Sequence, residues 1–540
     1  MTPSTQFIIR TEDIRLEDIL SLFVGTERDL SLIAALKSPN PLIIEGSRGT
    51  GKSFLLRVCE QEQIENFETE RVLPVYISFI KSSLLHAKNP EQFQHWMLAR
   101  ICSRLLRSLY SSGLLGSTPR ALQLLAGGEV KNATKATRLE EIAKAYEESF
   151  RTPGIEIDDT GIPEVEELRD TIQDLCSELN IRSFNLLFDE AAHIFRPEQQ
   201  RQFFTLFRDL RSPYITCNAA VYPGVTVYGS TFEVAHDARI ESLHREITDK
   251  AYLGQMREII FKQADSNLQK AIERNGANFD ALAYAVSGNP RLLLKTVALA
   301  PRLRSAEVQS VLKDFYRTGI WAEHSGLAER YAGHKELIDW GRQFIEGIAI
   351  VDALQKNDQW SIENKNERTC YFWLHRDAPE AVKEALRLLT YTGIVTKLDS
   401  GVVATRREVG TRFAINVGCL ATSEANPIVF VADLRKGLSI KRFTEYGANF
   451  KPFITLADTV GPEVEADLSE VIKEQMEKPI TVLDISNHQK QALTGIGIDS
   501  IGRALSSSES TFQRAHYIGP KRSRRIMNVA SAAVLEYLSG

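Results

Sequence analysis

The stretch that most constrains this chain is LIIEGSRGTGKS, residues 42 to 53. Leu42, Ile43 and Ile44 form a short apolar run, as a parallel strand buried on both faces requires. Gly46, Gly49, Gly51, Lys52 and Ser53 follow in the spacing G-x-x-x-x-G-K-S, and Phe54, Leu55, Leu56 and Val58 then fall at a helical spacing. Strand, glycine-rich turn and helix together are the context of a phosphate-binding P-loop. Glycines let the backbone curl until successive N–H groups point inward at phosphate oxygens, and the helix N-terminus adds its positive dipole end. On this reading Gly46, Ser47, Arg48, Gly49, Thr50, Gly51, Lys52, Ser53 and Phe54 surround the phosphates of ATP. Lys52 reaches the β- and γ-phosphates, and Ser53 ligates Mg2+. The alternative is an accidental glycine-rich turn, against which the flanking strand argues.

A second apolar run, FNLLFDE, ends in two acids, Asp189 and Glu190. In a P-loop enzyme this is the Walker B strand: Asp189 holds magnesium, directly or through water, and Glu190 polarises the attacking water. A strand followed by an acidic helix cap is the bland alternative. Two further strands are expected at Val72–Ile80 and Tyr214–Ala220, and a weaker one near Leu243–Ile247. Residues 90 to 180 read as charged helices, with surface loops at 110 to 135 and 150 to 163. From Leu253 to about Leu312 the pattern is all helix: Phe279, Leu282, Ala283 and Val286 share one face, and Asn289-Pro290-Arg291 opens the next helix.

With 540 residues, the chain has room for two to four domains. Its net charge of −5 spreads no basic field, so nucleic-acid binding has to be local. The six cysteines contain no C-x-x-C pair, which excludes a thiolate zinc site of usual spacing and a disulfide framework. An N-terminus with early acids and no apolar h-region is not a signal peptide, and no run of 18 apolar residues spans a membrane. A cytoplasmic location and no membrane partner are therefore expected.

The set FVGTERDL, GSRGTGKS, LLFDE, ITCNAA and SGNPRLLL resembles the AAA+ ATPases, in particular their origin-recognition and STAND-like branches, over about residues 20 to 320. The resemblance implies an α/β fold: a five-stranded parallel sheet in the order 5-1-4-3-2 with a helical lid. It places Val24 and Gly25 beside the adenine, Asn218 at sensor 1 and Arg291 at sensor 2. The implied catalytic set is then Glu190, Lys52, Asn218 and Arg291. Arg239 stands where relatives carry an arginine finger for a neighbouring subunit, so a homo-oligomer is implied; Arg208 and Arg211 compete for that role, and a structural arginine is the alternative.

After the lid, a helix behind Pro379 and a hairpin turning at Asp399-Ser400-Gly401 look like a winged helix, with Arg406, Arg407 and Arg412 along a basic edge. A small structural domain with a solvated face is the other reading. IVFVADL, near residue 428, reads as strand-like and has no assigned role. LTGIGIDSIGRAL and FQRAHYIGPKRSRRI resemble helix-hairpin-helix elements. The second offers backbone N–H groups at Ile518-Gly519 and cations at Arg514, Lys521, Arg522, Arg524 and Arg525, a phosphate-binding combination for DNA or RNA. The same fold also docks proteins. The expected organisation is an ATPase domain at 1–250, a lid at 251–320, a winged-helix-like domain at 335–424, a linking region at 425–484 and an all-α helix-hairpin-helix domain at 485–540. The expected activity is that of an ATP phosphohydrolase that couples ATP turnover to remodelling or loading on nucleic acid. The rival is a nucleotide-gated, STAND-like switch for a partner protein; bacterial anti-phage defence is one setting for it, though no residue shows this. No D-x-n-E-x-K or H-x-H cluster supports a nuclease.

Overall fold

The computed structural model describes residues 7–81, 91–114, 119–128, 136–149, 157–191, 197–223, 228, 232–330, 334–459 and 476–538. β1 (Leu42–Glu45), β2 (Val72–Ser78), β3 (Ser183–Asp189), β4 (Ile215–Val221) and β5 (Arg239–Ser242) form one sheet. All its pairings are parallel and its order is β2-β3-β4-β1-β5, the expected order read from the other edge. Successive side chains of a strand point to opposite faces. Ile43 accordingly packs into one core with Trp96, Leu186 and Phe207, while Leu42 and Ile44 join Leu36, Leu56 and Val58 in another. The sheet is thus covered on both sides, which is why its strands read as continuous apolar runs.

Local signals were overridden in several places. β5 lies at Arg239–Ser242 and not at 243–247, and a helix at Pro119–Ala126 falls inside the stretch expected to be loop. IVFVADL is helical: Asn426 caps the helix Pro427–Gly437, and proline occupies its first position. Its β-branched run suggested a strand, but Pro427, Val431 and Leu434 share one buried helical face.

Five helices between Tyr252 and Asp314 form the lid. Their core continues into a second sheet, so that Phe279, Leu282, Tyr316, Val417 and Leu420 belong to one cluster. This sheet holds β6 (Tyr371–His375), β7 (Val395–Val403), β8 (Val409–Ile415) and β9 (Phe443–Tyr446) in the order β7-β8-β6-β9. Helix Glu380–Thr392 precedes the β7–β8 hairpin. The hairpin does not turn at Asp399-Ser400-Gly401; that segment is a register shift within β7, and the chain reverses at 404–408. A glycine at φ +78° is absorbed there as a bulge. β9 pairs in parallel with β6, so the sheet draws strands from both sides of residue 424.

Four helices between Asn487 and Leu538 pack round Leu493, Phe512, Ile518 and Ile526. The last, Pro520–Leu538, also packs against helix Glu380–Thr392. All six cysteines are buried and free. No helix among the described residues is long and apolar enough to cross a membrane.

Candidate nucleotide site

The parallel sheet delivers the ends of β1, β3 and β4 to one edge, where ligands of open α/β sheets bind. β1 runs into the P-loop, and the P-loop helix starts at Lys52. Gly51 has φ +104° and Gly49 φ +87°. A Cβ on Gly49 would stand 2.8 Å from both Arg291 Cβ and Asn289 Oδ1, so glycine is required by conformation and by space. Lys52 Nζ donates to Gly46 O at 2.6 Å and Ser47 O at 3.1 Å. Ser53 Oγ donates to Asp189 Oδ1 at 3.0 Å, and Tyr76 O–H donates to Asp189 Oδ2 at 2.5 Å.

Glu190 follows Asp189 in the left-handed region, φ +50°, a conformation uncommon for non-glycine residues. Its Oε1 accepts from Tyr222 O–H at 3.2 Å. The Tyr222 ring also covers Lys52, with Nζ 4.3 Å from the ring centre. Burial pushes both carboxyls above their ordinary range; Asp189 pushes Glu190 further, and the hydroxyl donors oppose the shift. Burial lowers the Lys52 ammonium to about 8, with Arg291 and Arg48 adding to the effect.

One cavity joins these groups: Lys52, Ser53, Asp189, Glu190, Tyr222 and Arg291 all line it. Val24, Arg48, Gly49, Gly51 and Phe54 line it as well. Ile8, Ile9 and Ile14 come from the segment before the P-loop, which Ile8 N ties to the lid through Gln263 Oε1 at 2.8 Å. Gly25 is exposed and lies outside the lining, while Gly46, Ser47 and Thr50 face a smaller cleft beside Asn289 and Gly393.

The residues fit magnesium in the way a nucleotide site does. Among the described residues no three His, Cys, Asp or Glu side chains form a cage. Magnesium at phosphates takes only one or two protein oxygens, which Ser53 and Asp189 supply from adjoining positions.

Residues 8–233 match the ORC-CDC6-like family. Among solved structures, the Orc1 protein of Aeropyrum pernix in complex with DNA is similar at 14% identity with a TM-score of 0.32, over 77% of this chain and 94% of that one. No curated protein matches the chain.

Within the matched region, one expected catalytic residue stands elsewhere. Asn218 is fully buried in mid-strand, opposite Leu42 at the start of β1. Its side chain accepts from Leu42 N at 2.9 Å and donates to Leu36 O and Asn185 Oδ1, so it ties the sheet to the helix Glu27–Leu36. In the sheet register Val221 lies opposite Glu45, and the next residue, Tyr222, is the one that reaches the P-loop. Counting the register forward from the P-loop would have found it. Arg239 opens β5 opposite Leu42, exposed and paired with Glu241 at 2.5 Å. It is not part of its own chain's nucleotide cavity.

Arg245 was not anticipated. It donates to Thr50 O at 2.7 Å and pairs with Asp29 at 3.2 Å, bracing the P-loop from behind. Arg291 opens the lid helix Pro290–Leu299, and Asn289, its cap, donates to Arg48 O at 2.8 Å.

In the tail, Arg514, Lys521, Arg522 and Arg525 are exposed, and Gly519 is open at the start of the last helix. Ile518 is core, and Arg524 is bound to Glu509 and Asn449, each at 3.0 Å. Arg406 and Arg407 are exposed in the β7–β8 turn, whereas Arg412 is bound to Ile440 O and Asp399.

Proposed function

We propose that the protein hydrolyses ATP with magnesium at this site and uses the cycle to remodel, or load onto, nucleic acid held by its C-terminal units. The observation that carries the reading is the Ser53–Asp189 contact, 3.0 Å, in a cavity that also holds Lys52, Glu190 and Arg291. P-loop N–H groups would bind the phosphates. Lys52, bonded here to loop carbonyls, would turn to them. Ser53 and Asp189 would hold magnesium, which when bound neutralises phosphate charge. Glu190 would orient water, Tyr222 would hold Glu190, and Arg291 would report occupancy to the lid. Arg239, exposed and outside its own cavity, would reach the site of a second copy.

Lys52→Ala should abolish tight ATP binding, and Glu190→Gln should bind ATP but not turn it over. Equilibrium titration and phosphate release, each with and without DNA and RNA, check both. Glu190→Gln turning ATP over at the wild-type rate would sink the assignment. The same variant with ATP, followed by light scattering, reads self-association.

A further inference from the structure

Helix Glu380–Thr392, which belongs to the second sheet's unit, ends against the nucleotide site. The Tyr391 ring meets the Tyr222 ring edge-on, with centres 4.8 Å apart. The Tyr391 carbonyl accepts from Arg48 N at 3.4 Å, and the Arg48 guanidinium pairs with Glu323 at 2.7 Å. The neighbour of Glu323, His324, meets Thr392 at 3.3 Å, so the two helices that touch Arg48 are tied to each other. Tyr222 therefore contacts Glu190 through its hydroxyl, and Lys52 and Tyr391 through its ring.

We propose that Tyr391 is a positioning residue for hydrolysis: by packing against Tyr222 it fixes Glu190, so turnover requires the C-terminal unit to be seated on the P-loop. The proposal rests on the hydrolytic reading above. A tyrosine hydroxyl aims a carboxylate only while its ring is fixed, and an unsupported ring explores other rotamers. A water-orienting group displaced by a fraction of an ångström loses much of its effect, because the reacting geometry is narrow. The hydroxyl of Tyr222 acts on Glu190 and its ring covers Lys52, while the Ser53–Asp189 pair lies outside the contact, so turnover depends on it more than binding does. The same helix packs against Pro520–Leu538, whose first turns carry Lys521, Arg522 and Arg525. A ligand drawn to those cations would therefore load the helix that carries Tyr391.

The test uses the full chain. In Tyr391→Ala, kcat should fall about tenfold, with a clearly smaller change in KM and in the affinity for a fluorescent ATP analogue. Tyr391→Phe, which keeps the ring, should restore kcat. Tyr222→Phe keeps its ring and loses the hydroxyl, so it should lower kcat similarly, and adding Tyr391→Ala to it should cost little more. Should the alanine variant fail to fold, Tyr391→Leu keeps apolar bulk and should show the same loss. Wild-type kcat in the folded variants, full additivity in the double variant, or an equal loss of ATP affinity would each overturn the proposal. A wild-type protein that binds ATP without turnover would overturn the hydrolytic reading and this proposal together; normal wild-type turnover with insensitive Tyr391 variants would overturn only this one.

Discussion

His324 is fully buried, with Nε2 facing Ile338 O and Nδ1 facing Thr392 Oγ1, each at 3.3 Å. A carbonyl only accepts, so Nε2 carries a proton. Burial lowers its pKa to about 4, Arg342 adds to this, and the Ile338 carbonyl opposes it. The folded pKa therefore lies below the ordinary value near 6.5. As pH falls through that value, the unfolded chain takes up the proton first, and stability is lost down to the folded pKa. Between pH 7 and 5 this residue should cost about 2 kcal/mol. Urea denaturation of wild type and His324→Asn checks it: the variant should be less stable at pH 7, and the gap should narrow at pH 5. His244 and His334 are lowered to about 4 by burial too, so the acid limb of the whole protein should be steep. At this scale the P-loop residues were legible because their chemistry is contiguous. Asn218 and Tyr222 were not, since four positions of strand register separate a structural asparagine from the residue that covers Lys52.

Among the elements, the lid helix Pro290–Leu299 has a start with two jobs. Asn289 Oδ1 accepts from Leu292 N at 3.1 Å, and Nδ2 donates to Arg48 O at 2.8 Å. Asn289→Ala should therefore lose about 1 kcal/mol of stability and also weaken ATP binding. Asn289→Ser should keep the cap and lose only the P-loop contact. Urea midpoints and nucleotide titration separate the two effects; equal ATP affinity in all three proteins would show that the Arg48 contact does not matter to binding. The cap was readable from Asn289-Pro290, because capping is local. IVFVADL was misread, because strand propensity describes a half-buried pleated surface and the surroundings of this stretch supply a helix-shaped groove. The Asp399-Ser400-Gly401 turn was misread because glycine serves a bulge as readily as a turn.

For the whole molecule, charge is distributed unevenly: the chain carries a net −5, yet Arg514, Lys521, Arg522 and Arg525 stand exposed near one hairpin. Phosphate contacts release counterions, so affinity should fall steeply with salt. Changing Lys521, Arg522 and Arg525 together to Glu should weaken nucleic-acid binding uniformly across sequences and flatten the slope of log K against log salt by up to about 3. Arg524 is left out because Glu509 and Asn449 hold it. Fluorescence anisotropy with single- and double-stranded DNA over a salt series measures this. Unchanged affinity would move the contact to Arg406 and Arg407, and no binding at low salt would favour a protein partner for the tail.

What the amino-acid sequence alone determined is the P-loop, the Asp189–Glu190 strand end, the lid cap and the helix before the β7–β8 hairpin. Each is set by neighbours within a few residues, through backbone conformation, capping and periodicity. Tertiary structure decided the rest: that Tyr222 and not Asn218 faces Glu190, that Arg245 braces Thr50, and that Tyr391, more than 330 residues after the P-loop, closes on Arg48 and Tyr222. Those contacts depend on strand register and on a core shared by lid and second sheet, and neither leaves a periodic or local trace in the chain.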